Sequence, residues 1–210
     1  MTFSFVARSE DGQLYGVAVA SKFLAAGAIA PAAEANIGAL SSQAFPNLNY
    51  RWQVLEFLRS GVSPADAVKG VTAADELRDQ RQLGVVGPTG PGVAYTGSET
   101  QPWSGHRVGD GYAAQGNILV GPAVVDDMVT AWKEHRQLPF AERMVAALTA
   151  GDDAGGDRRG KQCASLLVVG PNASYFQHDD VAIDLRVDDH TDPVGELSRL
   201  LKLHRETFVS

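Results

Sequence analysis

Residues 28–33 and 36–44 read as β-forming segments, yet they are built mostly from Ala, Gly, Ser and Ile. Side chains this small let a strand be approached closely on both faces, so the pair reads as a hairpin packed between two other layers. No other feature of the chain narrows the choice of folds as much. At the N-terminus Phe3, Phe5 and Ala7 alternate with Ser4, Val6 and Arg8, then Asp11-Gly12 turns the chain into a second β-like run over Tyr15–Ser21. A further hairpin is expected from 82–86 and 93–96, separated by Gly-Pro-Thr-Gly-Pro-Gly, with a loop over 98–109 and a strand over 111–120. Late strands are expected at 162–169 and 181–187.

Helices fall between these groups. Trp52, Leu55 and Leu58 recur at helical spacing before Gly61, and Ser63-Pro64-Ala65-Asp66 supplies an N-cap, a proline at the first position and an acid in the first turn. A helical region runs from Pro122 to Gly151 with a break near Pro139, and Asp192-Pro193 opens a last helix carrying Val194, Leu197, Leu200 and Leu201. Hairpins alternating with helix pairs favour antiparallel sheets covered by helices, a layered α+β sandwich, over a parallel α/β fold. The 210 residues are expected to form a single domain over 1–210.

Eighteen Lys and Arg against 25 Asp and Glu give a net charge of −7, opposite in sign to what a nucleic acid or an anionic membrane attracts. Neither is expected as a partner. The most apolar stretch, 17–33, is interrupted by Ser21, Lys22 and Pro31, and nothing at the start resembles a secretory signal, so the expected address is cytoplasmic. The single cysteine, Cys163, excludes an internal disulfide and a cysteine-based zinc site.

Gly155-Gly156-Asp157-Arg158-Arg159-Gly160-Lys161 has the glycine and lysine spacing of a phosphate-binding loop, but Gln162 stands where the magnesium-binding hydroxyl belongs. A helix also precedes it and a β-like run follows, the reverse of what that loop requires. A rigid loop carrying Asp157, Arg158, Arg159 and Lys161 remains suited to holding a substrate carboxylate, because arginine offers a planar fork of donors. The acids and imidazoles of 178–192 show no metal spacing, and Asp184, Arg186 and Asp188 fall on the polar face of a strand. No metal and no cofactor are expected. Trp103-Ser104-Gly105-His106-Arg107 offers a loop imidazole able to meet a ligand, or a cap over a sheet edge.

The remaining nucleophile is Thr2. Freed of Met1, it would carry a hydroxyl and an α-amine on one residue, the amine with an ordinary pKa of about 7.7 to 8.0 that suits it as a base near neutrality. The opening segment, Thr2 to Arg8 with Asp11-Gly12 and Gly16 to Ser21, resembles the first hairpin of proteasome-type N-terminal-nucleophile (Ntn) hydrolases. Further motifs are Gly38-Ala39-Leu40-Ser41-Ser42-Gln43-Ala44, Arg81 to Val86, Thr96-Gly97, Trp103-Ser104-Gly105-His106, Gln115-Gly116-Asn117, the 155–160 loop and Asp184 to His190, which span nearly the entire sequence. On these motifs the whole chain is identified as a member of the bacterial family of unknown function numbered ten-twenty-eight.

The resemblance implies a four-layer αββα sandwich of two mainly antiparallel sheets flanked by helices, Ntn-hydrolase-like, with Thr2 at the mouth between the sheets. It implies an Ntn-type amidohydrolase cleaving a small amide or peptide-like substrate, with Ser42 and Gln43 placing donors at the oxyanion. Lys22, His106, Asn117, Asp157 and Arg158 would bind substrate, and a homo-oligomer is expected. Proteasome-type enzymes carry a lysine late in the second hairpin, whereas this chain has Ala32, Ala33 and Glu34 there, with Lys22 the nearest substitute. The alternative is a non-catalytic binding or assembly protein on the same scaffold.

Overall fold

The small-residue hairpin forms one side of the smaller of two facing sheets, with its first strand at that sheet's edge. The computed structural model describes residues 2–208. The first sheet is formed by β1 (Thr2–Arg8), β2 (Tyr15–Ser21), β7 (Gly105–Gly109), β8 (Tyr112–Asn117), β9 (Cys163–Val169) and β10 (Val181–Val187), in the order β10-β9-β2-β1-β8-β7. The second is β3 (Pro31–Glu34), β4 (Gly38–Ala44), β5 (Arg81–Val86) and β6 (Val93–Thr96), in that order. Every pairing is antiparallel. Helices α3 (Ala123–Glu134), α4 (Phe140–Asp153) and α5 (Pro193–Phe208) cover the first sheet. Helices α1 (Tyr50–Arg59) and α2 (Pro64–Ala73) cover the second, while β1 and β2 pack on β4 and β8 packs on β5. The result is the four-layer αββα sandwich that the sequence leads one to expect.

Alternation along each strand builds the layers. On β1, Phe3 and Phe5 point outward into a core with Met128, Trp132, Met144 and Leu148 of the helices. On β4 and β5, Leu40, Leu83 and Val85 point the other way, onto Val54, Leu58 and Val71. Between the sheets lie Val6, Val17, Val19, Ala39 and Val86 at one end. At the other end the same inward positions are polar: Thr2, Ser4, Gln43, Gln82, Gln115 and Asn117 are all buried.

Three sequence expectations shift. The buried stripe of α1 is Tyr50, Val54, Leu55 and Leu58, and Trp52 is 68% exposed, so its place in the helical spacing does not make it core. Residues 105–109, expected as loop, form β7, an edge strand whose Gly-His-Arg-Val-Gly run carries no apolar alternation because little of it is buried. The strand expected to reach residue 120 ends at Asn117, since Ile118 takes a φ of 51° and its amide bonds Gln101 O instead of continuing the ladder. The cap at Ser63 forms as expected, its hydroxyl accepting from Asp66 N at 3.1 Å.

The sheets also meet where Gly92 N donates to Gly109 O at 2.9 Å. A Cβ at Gly92 would stand 2.0 Å from Tyr112 O, so the two backbones approach this closely only because no side chain intervenes. Gly92→Ala is expected to lower unfolding free energy by about 2 kcal/mol through overpacking, whereas Gly121→Ala, with open space around it, should leave urea denaturation nearly unchanged.

Candidate functional site

The polar end of the inter-sheet layer surrounds Thr2. Its strand pairs with β8 in the register Thr2↔Asn117, and β4 lies opposite, so side chains from three strands converge on it. Thr2 Oγ1 is 3.2 Å from Ser21 Oγ on β2. The Thr2 carbonyl accepts from Gln43 Nε2 at 3.1 Å and from Asn117 Nδ2 at 3.4 Å. A cavity of about 70 Å³ opens here, lined by Thr2, Ser42 and Gln43 and by the apolar Phe23, Ile29 and Pro46.

One buried amide orders the others. Gln82 Oε1 accepts from both Gln43 Nε2 (2.8 Å) and Asn117 Nδ2 (2.9 Å), so both amides must turn their nitrogens toward Thr2. Gln82 Nε2 donates in turn to Gly116 O at 2.8 Å and to Thr96 Oγ1 at 3.0 Å. Thr96 Oγ1 also lies 2.8 Å from His106 Nδ1, where a neutral imidazole either accepts the hydroxyl proton or donates its own, according to its tautomer. Burial, and then the Arg107 charge, push the His106 pKa down and favour this neutral ring. On the other side Gln43 Oε1 accepts from Ser4 Oγ at 2.7 Å, and Ser4 Oγ accepts from Gln115 Nε2 at 2.7 Å. Gly84 makes room for that glutamine, because a Cβ there would lie 2.1 Å from Gln115 Oε1.

Thr2, Ser42, Gln43 and Asn117 are thus brought together. Ser42 N is spent on Ala30 O, and its hydroxyl donates to Asn47 O at 3.1 Å. Asp157 sits beside the end of β8, joined to Leu119 by a backbone bridge, and its Oδ2 accepts from Lys22 N at 2.9 Å. The Lys22 ammonium turns away to Lys161 O at 3.1 Å and does not line the cavity. Arg158 is exposed and its amide bonds Ile118 O. His106 also lies outside the cavity lining, connected to it through Thr96 and Gln82. Met1, whose removal the nucleophile reading requires, lies outside the described residues.

Sequence reasoning missed Gln82, Ser21 and Asp75. For Gln82 a signal existed: it is a polar residue starting an inward-facing series, Gln82, Gly84, Val86, in a strand that is apolar beyond it. Asp75 gave none. It accepts from Asn47 Nδ2 (2.9 Å), Tyr50 OH (2.8 Å) and Arg81 Nε (2.9 Å), and Arg81 also reaches Phe45 O. These bonds hold the 44–49 segment, including the cavity residue Pro46. The Arg81 hydrogen bond, aided by Asn47, Tyr50 and Leu77 N, holds the Asp75 carboxyl well below the usual range against the opposing effect of burial.

Two stability effects follow. Gln82→Met, similar in size but unable to accept or donate, should cost about 3 kcal/mol in chemical denaturation by orphaning buried partners. A carboxyl whose folded pKa is depressed stabilises fully above its unfolded value and loses that contribution as pH falls below about 4. Asp75→Asn should therefore lower stability at pH 7 by about 3 kcal/mol and flatten the fall in melting temperature between about pH 4 and pH 2.

The family model described as "Family of unknown function (DUF1028)" matches residues 2–197. A crystal structure of a Silicibacter pomeroyi protein, described under the same family model, superposes with a TM-score of 0.87 at 32% identity, covering 97% of this chain and 89% of that one. The crystal structure of eukaryotic HslV from Trypanosoma brucei gives a TM-score of 0.45 at 10% identity, covering 80% of this chain and 99% of that one. The chain matches no curated protein. With nearly its whole length matched, and with that architecture shared by a solved relative, the chain belongs to the DUF1028 family, a family of unknown function.

Proposed function

We propose that the chain is an N-terminal-nucleophile amidohydrolase acting on a small amide or peptide-like substrate. The observation that carries this reading is the setting of Thr2: its hydroxyl lies beside Ser21 at a small apolar cavity, while two oriented amides grip its carbonyl. A nucleophile held on both sides of its Cα needs little reorganisation before it attacks.

Once whatever precedes Thr2 is removed, Oγ1 attacks the substrate carbonyl carbon and its proton passes to the α-amine. The C–N bond then breaks, the departing amine takes that proton, and water cleaves the ester to restore the hydroxyl. The Ser42 hydroxyl would serve the oxyanion by turning from Asn47 O, with Gln43 and Asn117 holding Thr2 in place. Asp157, by fixing Lys22 N, shapes the rim, and Arg158 supplies an exposed charge there for substrate. His106 acts on orientation through Thr96 and Gln82. The α-amine is the base, so no cavity lysine is needed.

A second reading, binding without turnover, draws on the engagement of both Ser42 N and Ser42 Oγ in this structure. Amide-library turnover together with intact-mass detection of a β-lactone adduct on the N-terminal peptide separates the two. Thr2→Ala should abolish both signals with an unchanged melting temperature, and Thr2→Ser should retain turnover within about tenfold. Turnover that survives Thr2→Ala overturns the mechanism. Absence of both turnover and adduct in a chain beginning at Thr2 favours the second reading.

A further inference from the structure

The seven residues of β1 carry the sandwich about 20 Å from Thr2 to its opposite end. There a cavity of about 660 Å³ opens between the β1–β2 turn, the β7–β8 turn and the α3–α4 connection. Its walls hold four cations, Arg8, Lys133, Arg136 and Arg143, against two carboxylates, Glu10 and Asp110. In a chain of net charge −7 this is a local excess of two positive charges. The β7–β8 turn adds only the Asp110 side chain, because Gly109 and Gly111 flank it, so the space stays open.

Arg143 is the anchor. Its side chain is 7% exposed, with the guanidinium 3.7 Å above the Trp132 ring and Nε donating to Trp132 O at 2.7 Å. Nη1 reaches Glu10 at 3.2 Å, and Nη2 has no hydrogen bond among the described residues. Glu10 is a poor counterion for a buried charge: it is 67% exposed, and the same oxygen lies 4.0 Å from Arg136 Nε. Lys133 makes no ion pair among the described residues, and the Asp110 carboxylate, 3.6 Å from Arg8, is almost fully in solvent. Burial pulls the Arg143 pKa down, the sign of a cation with too little compensation.

We propose that this cavity binds a small dianion, of the class of inorganic phosphate, a phosphate monoester or a short dicarboxylate, with the Arg143 fork as its buried contact and Lys133 and Arg136 closing over it. The unspent Nη2 of a planar guanidinium suits an anionic oxygen, and the exposed ammonium and guanidinium groups at the rim complete the neutralisation. The site is independent of any chemistry at Thr2.

Isothermal titration of the full chain with inorganic phosphate, and separately with succinate, tests it against chloride at matched ionic strength. Saturable binding of one dianion per chain is expected, and a Lys133→Ser/Arg136→Ser double variant, altered only at exposed positions, should weaken it at least about fivefold. Phosphate without succinate assigns the site to phosphoryl ligands, and succinate without phosphate to dicarboxylates. Arg143→Lys, which keeps the charge and loses the fork, should weaken the preferred dianion as well. No saturable binding of either dianion beyond the chloride response, or an affinity that the double variant changes less than about fivefold, overturns the proposal.

Discussion

The arrangement around Thr2 depends on a row of amide side chains shut between two sheets. An amide buried in this way is favoured in the orientation that meets most of its donors and acceptors, because each unmet group costs about 1–3 kcal/mol. Gln82 meets that requirement for two neighbours at once, and so leaves one orientation open to Gln43 and Asn117. Both then present nitrogen to the Thr2 carbonyl. A purely apolar layer would hold the sheets together equally well, but it could not aim anything. The division of the inter-sheet layer, valines at one end and amides at the other, separates stability from positioning within a single seam.

The cavity wall is governed from farther away. β4 ends on Ala44 at a φ of 71°, and the segment after it carries the cavity residue Pro46. It keeps that path because Asp75, at the end of α2, gathers Asn47, Tyr50 and Arg81 around one carboxylate. The pair with Arg81 is shielded on both sides, with side-chain exposures of 10% and 8%, so it is screened far less than the surface ion pairs of α1 and α5. The two ends of the molecule differ in chemistry: the Thr2 end is lined by neutral amides and small apolar groups, and the Arg143 end by charge.

Much of the architecture was legible because strand and helix signals are local. The turn at Asp11-Gly12, the cap at Ser63 and the alternation of Phe3 and Phe5 against Ser4 and Val6 each report on a few neighbouring residues, and each forms as read. Residues 105–109 were illegible as a strand because an exposed edge needs no apolar face. Trp52 misled for a related reason, since helical spacing shows that a side chain can join a stripe but not which stripe is covered. At the site, Gln43 and Asn117 stood out through the motifs around them, while Lys22 looked like a cavity lysine only because it is near in sequence. Its backbone is captured by Asp157 and its ammonium is drawn to Lys161 O.

From the sequence alone came the small-residue strands, the alternation of the first strand, the helix starts at Ser63 and Asp192 and a threonine hydroxyl at the start of the first strand. These follow from backbone geometry with a period of two or 3.6 residues, and need no knowledge of distant partners. Only the tertiary structure decided that Gln82 would orient two amides from other strands, that Asp75 would hold the cavity wall, and that Arg143 would be buried with Nη2 unspent among the described residues. Those outcomes depend on register between elements up to 133 residues apart, as in the Arg143–Glu10 contact. No local pattern encodes which donor will stand opposite which acceptor once the layers close.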